Sequence, residues 1–357
     1  MTLIIAEAGV NHNGQEQLAF KLVDAAKNAG ADIVKFQTFK AKNLVTETAK
    51  QADYQVKNTQ KSESQFTMLS RLELSYDVHH KLLAYCNKLG IEFLSTAFDF
   101  ESLNFLVDNL GLKRLKLPSG ELTNAPLVLA HAQTGCDLIV STGMATLSEI
   151  ESALGVIAFG YLNDSSVKPS KLAFGQAYAS AKGQKLLQQK VTILHCTTEY
   201  PAPLEEINLK VMDTLGSAFN LAAGYSDHSA GISVPIAAAA RGAVLIEKHF
   251  TLDKEMEGPD HKASLDPAEL KVMIMAIREV ALALGGPVKT PTASEVKNKQ
   301  VVRKSLVAAV DIKIGEAFTE ENLTIKRPGT GLSPCQYWQY LGSKAKQAYK
   351  AGDLISE

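Results

Sequence analysis

Two histidines, His228 and His249, carry the strongest chemical signal in this chain. They stand in Ser226-Asp227-His228 and Glu247-Lys248-His249-Phe250, each at the downstream end of an apolar run, residues 221–225 and 243–246. Such runs read as buried parallel strands. The helical stretch 233–241 lies between them, which makes a strand–helix–strand unit and brings both imidazoles to one edge of the sheet. Imidazoles at neighbouring strand ends can share one divalent ion and leave positions on it for substrate and water. Either histidine alone reads as a satisfied core or rim residue; the pair favours the metal. His12 reads as a loop-shaping residue and His195 as a buried, hydrogen-bonded ring. His261, in Gly258-Pro259-Asp260-His261, could add a third ligand but reads first as a mobile surface-loop residue.

Other strand ends are just as polar. They offer Glu7, Lys35 and Gln37, Thr96, Lys116 with Ser119 and Glu121, Ser141, Thr198 with Tyr200, and Ser226. A lysine inside a buried strand is costly unless it meets an anion. Lys35 and Lys116, ringed by hydroxyls and glycines, make a cradle for a phosphate or carboxylate. The structural alternative is an ion pair with Glu7 or Glu121, and Ser119, Ser141 and Ser226 could each cap a helix.

The elements that position these groups alternate. Short β-rich runs fall at 3–10, 32–38, 91–98, 114–119, 136–143, 190–198, 221–228 and 243–252, with amphipathic helices between them. Residues 15–29 place Leu18, Leu22, Ala25, Ala26 and Ala29 on one face and stop at Gly30. Residues 266–284 open on Asp-Pro and close on Gly285-Gly286. Eight such units predict a closed (β/α)8 TIM barrel over 1–286, with an open doubly wound sheet as the alternative. The connection 39–74 follows the second strand, rises from the catalytic face and can cover a substrate; it carries Lys40, Lys42, Tyr54, Gln55 and Asn58. The insertion 160–189 belongs on the opposite face and reads as structural. Residues 287–300 are polar and aperiodic and read as a linker, and 301–357 as a small β-rich domain.

A net charge of −1, with 46% hydrophobic and 21% charged residues, gives no general attraction to nucleic acid or an anionic membrane. Four scattered cysteines predict free thiols in a reducing cytoplasm. No signal peptide or membrane span is expected.

Seven ordered motifs add a family. They are 5–14 (IAEAGVNHNG), 34–38 (VKFQT), 117–121 (LPSGE), 141–144 (STGM), 195–201 (HCTTEYP), 224–228 (GYSDH) and 326–329 (KRPG), and together they resemble the sialic acid synthases from residue 3 to the C-terminus. The resemblance implies a TIM barrel followed by an antifreeze-like (SAF) domain, here 301–357. It also implies metal-assisted condensation of phosphoenolpyruvate with N-acetylmannosamine and water to N-acetylneuraminate and phosphate, with C–O cleavage of phosphoenolpyruvate. By motif position, His228 and His249 match ligands of Mn2+ or another divalent ion such as Mg2+ or Co2+. Lys35, Thr96, Lys116, Ser119, Ser141, Thr198 and Ser226 match phosphoenolpyruvate contacts; Thr198 stands where family members can carry Asn. Gln37, Glu121, Tyr200 and Asp260 match sugar contacts. Arg327 matches an arginine reaching the sugar in a partner subunit, which implies a domain-swapped homodimer. Glu7, Lys116 and Glu121 are the expected catalytic groups, with Glu7 or Glu121 handling the proton. Synthases of legionaminic acid, which use 2,4-diacetamido-2,4,6-trideoxymannose, share nearly the same motifs and supply the alternative substrate. Two further alternatives are a Schiff-base aldolase using Lys35 or Lys116 and a non-enzymatic sugar- or ice-binding protein.

Overall fold

Each of the eight β-rich runs forms a strand in the computed structural model, which describes residues 2–357, the side chain of Lys57 aside. The strands are β1 (Leu3–Gly9), β2 (Ile33–Thr38), β3 (Glu92–Ala97), β4 (Arg114–Leu117), β5 (Asp137–Ser141), β6 (Val191–His195), β7 (Ala222–Asp227) and β8 (Leu245–His249). They pair in sequence order, and β8 closes in parallel onto β1, from Leu3 opposite Leu245 to Glu7 opposite His249. That closure excludes the open sheet.

Local chemistry sets the helices between them. Helix Glu16–Ala29 buries Ala19, Leu22, Val23 and Ala26, and it ends where Gly30 adopts φ 89°, a conformation that costs glycine nothing. Helix Pro267–Leu284 starts from a reciprocal cap. Asp266 accepts from the Glu269 backbone N–H at 2.8 Å, and the Glu269 carboxylate accepts from the Asp266 N–H at 3.0 Å. The insertion before β6 forms helices Lys171–Ala179 and Ala181–Lys190. Lys190 donates to the Gly135 carbonyl and pairs with Asp137 at the start of β5, so the insertion ends at the edge of the barrel away from the strand C-termini.

Alternation along each strand divides the side chains into two sets. Outward residues such as Ala6, Val34, Phe36, Phe93, Leu115, Val140 and Ile246 pack beneath the helices as the main core. Inward, Ile5, Ile33, Leu94, Ile139, Leu194 and Leu245 fill the lower barrel as a separate apolar plug. Gly224 completes that plug, because a Cβ there would come within 2.5 Å of the Leu245 carbonyl and 2.7 Å of Leu194.

The chain divides into two units after Gly285. In the second, β9 (Ser305–Ala308) and β10 (Leu323–Lys326) pair antiparallel over a core that includes Leu306, Ile312, Phe318, Leu323 and Tyr349. The stretch 287–300, expected to be irregular, instead contains most of a helix, Ala293–Val302. Its cause is local: the Thr292 hydroxyl accepts from the Glu295 N–H, and Glu295 reaches back to the Thr292 N–H at 2.7 Å. With no buried face, this helix leaves no hydrophobic period to read. No helix among the described residues is long and apolar enough to cross a membrane.

Gly224→Ala is expected to overpack the plug and lower unfolding stability by about 1–3 kcal/mol. Urea denaturation measures this directly; an unchanged midpoint would show that β7 and β8 can separate at no cost.

Candidate active site

The period of two that builds the plug also builds the site above it. One step beyond Ile5, Ile33, Leu94, Ile139 and Leu245 come Glu7, Lys35, Thr96, Ser141 and Glu247; Lys116 and Ser226 complete this polar floor. A further step along β8 reaches His249, and His228 stands two beyond Ser226. All of them line one cavity of about 310 Å3 at the C-terminal ends of the strands.

The floor is an ionic quartet. Lys35 Nζ lies 2.7 Å from Glu7, 3.5 Å from Glu247 and 3.0 Å from the Thr96 hydroxyl. Lys116 Nζ lies 3.3 Å from Glu247, which also accepts from Ser226 Oγ at 2.9 Å. No side chain of the quartet is more than 5% exposed. Burial raises the Glu7 carboxyl to about 7; Lys35 opposes the rise and Glu247 adds to it. Burial would raise Glu247 too, but Lys116 and Lys35 outweigh it and hold this carboxylate below the usual range. For Lys35 the loss of water is outweighed by Glu247 and Glu7, so its pKa rises. For Lys116 burial wins over its share of Glu247, and its pKa falls. Lys116 is therefore the less satisfied cation, and an incoming anion would complete its pairing.

Beside Lys116 the hydroxyls are also unmet. Ser141 Oγ and Thr198 Oγ1 are buried without a partner. Ser119 Oγ accepts from the Gly143 N–H at 3.0 Å. A Cβ at Gly143 would strike Thr198 Oγ1 and reach 2.9 Å from Ser119 Oγ, so only glycine keeps this recess open. Buried hydroxyls without partners mark a place for a ligand or ordered water.

The two imidazoles have ring centroids 5.6 Å apart. His228 Nδ1 donates to the Thr197 carbonyl at 2.6 Å, which leaves the Nε2 lone pair facing the cavity, 3.1 Å from the Tyr200 hydroxyl. His249 Nδ1 is buried without a hydrogen bond, 4.0 Å from Asp260. Burial pushes His228 down to about 4 and His249 well below its ordinary value, so both rings are neutral at pH 7. Neutral imidazole is the form that binds a metal. Among the described residues no group of three or more His, Cys, Asp or Glu side chains is arranged around a metal position. A cation held by these two imidazoles would take its other ligands from substrate or water.

The remaining expected residues divide. Gln37, Glu121, Tyr200 and Asp260 line the same cavity. Burial raises Asp260 to about 6. Tyr200 lies over His228 with centroids 4.1 Å apart, and Tyr54 over Tyr200 at 5.1 Å. Arg327 belongs to the second unit, where its Nε donates to the Val302 carbonyl at 2.9 Å. Two expectations need correction. Lys116 pairs with Glu247 and not with Glu121, which instead accepts from Asn124 at 2.7 Å. His261 is fully buried and not a surface-loop residue, because the Thr251 hydroxyl at 2.6 Å and Asn13 at 3.2 Å draw it inward. His12 accepts from the Gly14 N–H at 3.0 Å, and His195 donates to the Ile207 carbonyl at 2.6 Å. Glu247 is the important residue that sequence reasoning missed. Counting back two from His249 would have found it, whereas its neighbour Lys248 faces outward and is paired with Asp227 at 2.6 Å.

Comparison with known proteins now adds to the geometry. The NeuB family model matches residues 22–289, and the SAF domain model matches 303–357. The chain belongs to the NeuB family. It is 51% identical over 356 residues to the N,N'-diacetyllegionaminic acid synthase of Campylobacter jejuni, covering 100% of this chain and 99% of that protein. Identity to the synthase of the same name from Legionella pneumophila is 45% over 352 residues, covering 99% and 92%. The crystal structure of an N-acetylneuraminic acid synthetase from Leptospira borgpetersenii superposes with a TM-score of 0.65 at 30% identity, over 83% of this chain and 90% of that one. This NeuB-family member is therefore a sialic-acid-type synthase, an enzyme with a TIM barrel and a SAF domain.

The quartet predicts an unequal response to neutralisation. Glu247→Gln leaves Lys116 buried without a carboxylate and is expected to cost about 3–5 kcal/mol of stability. Glu7→Gln replaces a carboxyl already partly protonated at pH 7 and should cost clearly less. Parallel urea titrations at pH 7 test the order; equal losses would contradict the uneven sharing of charge.

Proposed function

We propose that this synthase condenses phosphoenolpyruvate with open-chain 2,4-diacetamido-2,4,6-trideoxymannose and water, releasing phosphate and N,N'-diacetyllegionaminate. The observation that carries this reading is the contrast between the two ends of the cavity. Its floor is cationic and hydroxylated, whereas the connection after β2 supplies an apolar wall of Phe39, Leu44, Val45, Met68, Leu69 and Leu72, joined by Phe98. A terminal methyl gains about 0.8 kcal/mol when buried on such a wall. A hydroxyl left there without a partner loses about 1–3 kcal/mol. N-acetylmannosamine, the sugar first expected from the motifs, carries that terminal hydroxyl. The two legionaminic acid synthases among the relatives support the same choice.

In this reading Lys35, Lys116 and the hydroxyls of Thr96, Ser119, Ser141, Thr198 and Ser226 hold phosphoenolpyruvate over the quartet. Gln37, Glu121, Tyr200 and Asp260 orient the sugar so that its aldehyde meets C3 of phosphoenolpyruvate. The C3–C1 bond forms, water adds at C2, and the tetrahedral intermediate expels phosphate by C–O cleavage. Glu7 takes the proton from that water, since its carboxyl is poised near neutrality beside the floor. His228 and His249 would hold a divalent ion such as Mn2+, Mg2+ or Co2+, which when bound supplies Lewis-acid polarisation of the aldehyde oxygen.

Phosphate release from phosphoenolpyruvate with Mn2+ tests the assignment. The trideoxy sugar should exceed N-acetylmannosamine in kcat/KM by about tenfold or more, and a chelator should abolish release with either. The reverse preference would return the assignment to N-acetylneuraminate synthesis.

The pH profile tests Glu7. A base must be ionised to act, so kcat/KM should climb as pH rises through about 7 and then level off. Glu7→Gln should lower the plateau and flatten that limb; a limb that persists in the variant assigns the proton elsewhere.

A further inference from the structure

The wall contributed by the connection after β2 is interrupted by polar groups on one short helix, Asp53–Thr59. Tyr54 and Gln55 both line the cavity. Gln55 is held by the backbone at the start of the helix, and Tyr54 by another ring of the lining. Gln55 Oε1 accepts from the Ala52 backbone N–H at 3.0 Å, and Gln55 is only 9% exposed. Its Nε2 is left with one long contact, 3.4 Å to the Tyr54 hydroxyl. The Tyr54 ring lies over Tyr200, and Tyr200 over His228. The helix itself is tied across the cavity mouth, where Asn58 donates to the Pro259 carbonyl at 2.7 Å.

An amide donor with a proton to spare and a phenol thus share one cavity lining with Leu44, Met68 and other apolar side chains. Held only by each other at 3.4 Å, the two groups keep hydrogen-bonding capacity that a ligand can use. In the stack His228–Tyr200–Tyr54, Tyr54 is the outermost ring, which suits a part of an open-chain sugar beyond the part that Tyr200 orients. An acylamino group has the matching chemistry: a carbonyl for Gln55 Nε2, an N–H for the Tyr54 oxygen, and a methyl for the apolar wall.

We propose that Tyr54 and Gln55 are specificity-determining residues that read a second acylamino group, at C4 of the sugar. This rests on the diacetamido-sugar reading above and names how that substrate is told from its 4-hydroxyl analogue. A site built to hydrogen-bond a group rejects the analogue that lacks it.

Two variants keep the scaffold and change only the recognising atoms. Gln55→Glu retains an oxygen to cap Ala52 but turns the donor into an acceptor, and Tyr54→Phe retains the ring over Tyr200. In steady-state assays of phosphate release, Gln55→Glu should lose about 10- to 100-fold in kcat/KM for 2,4-diacetamido-2,4,6-trideoxymannose. With 2-acetamido-2,6-dideoxymannose, which differs only at C4, the loss should stay within about threefold, and KM for phosphoenolpyruvate should not move. Tyr54→Phe should shift the ratio in the same direction by a smaller factor. Equal losses on both sugars would reduce these residues to a structural role and overturn the proposal, as would no loss on either. The wild-type preference is read separately. A wild type that favours N-acetylmannosamine over the diacetamido sugar removes the substrate reading, and this inference with it, before any variant is compared.

Discussion

Four ionisable side chains, Glu7, Lys35, Glu247 and Lys116, are linked in that order by ion pairs at the centre of a barrel that is otherwise sealed below by aliphatic residues. Two lysines without water are tolerable only because two carboxylates stand between and beside them. The compensation is uneven. Glu247 is shared by both lysines and stays ionised, whereas burial pushes Glu7 toward its neutral form. The quartet is neutral overall when Glu7 is ionised and carries one net positive charge when Glu7 holds a proton. In either state Lys116, which has only a share of Glu247, lines the cavity as a preorganised cation for an entering anion.

The layers above depend on that floor. Lys35 and the neighbouring His228 add to burial in keeping His249 neutral, and the Thr197 carbonyl fixes which nitrogen of His228 is free. Ser226 bridges the levels, since it donates to Glu247 below and lies 3.5 Å from His228 Nε2 above. Removing charge from the floor would thus alter the imidazoles as well as the anion recess. The plug matters for the same reason. Ile5, Ile33, Leu94, Ile139, Leu194 and Leu245 keep water from reaching the quartet through the bottom of the barrel, and water there would screen every interaction above it.

Much of this could be read from residue order alone. The eight strands, the two histidines and the buried lysines follow from alternation, because a parallel barrel turns apolar runs into strands and puts whatever follows them at one edge. Glu247 was harder to see because Glu247-Lys248-His249 reads as one charged cluster. Counting in twos separates them, because Glu247 and His249 point inward while Lys248 points out to Asp227. His261 was misread because glycine and proline before it suggest an exposed loop, whereas two polar partners fold that loop back. Helix Ala293–Val302 depends on a capping box with no apolar stripe, so periodicity is silent about it.

Chemistry and selection are carried by different kinds of segment. The floor and the imidazoles sit on or directly beyond barrel strands, where backbone pairing on both sides fixes them and leaves little room for change. The apolar wall comes from residues 39–74, a connection held by a small cluster of Val10, Phe39, Met68 and Leu72. Side chains there can be exchanged without disturbing the quartet, because none of the wall residues bonds to it. A strand scaffold thus fixes the polar floor, and a separate connection shapes the pocket above it. On that division a substitution in the connection after β2 changes the shape of the pocket and leaves the quartet intact, whereas one on a strand changes the charge that the whole site rests on.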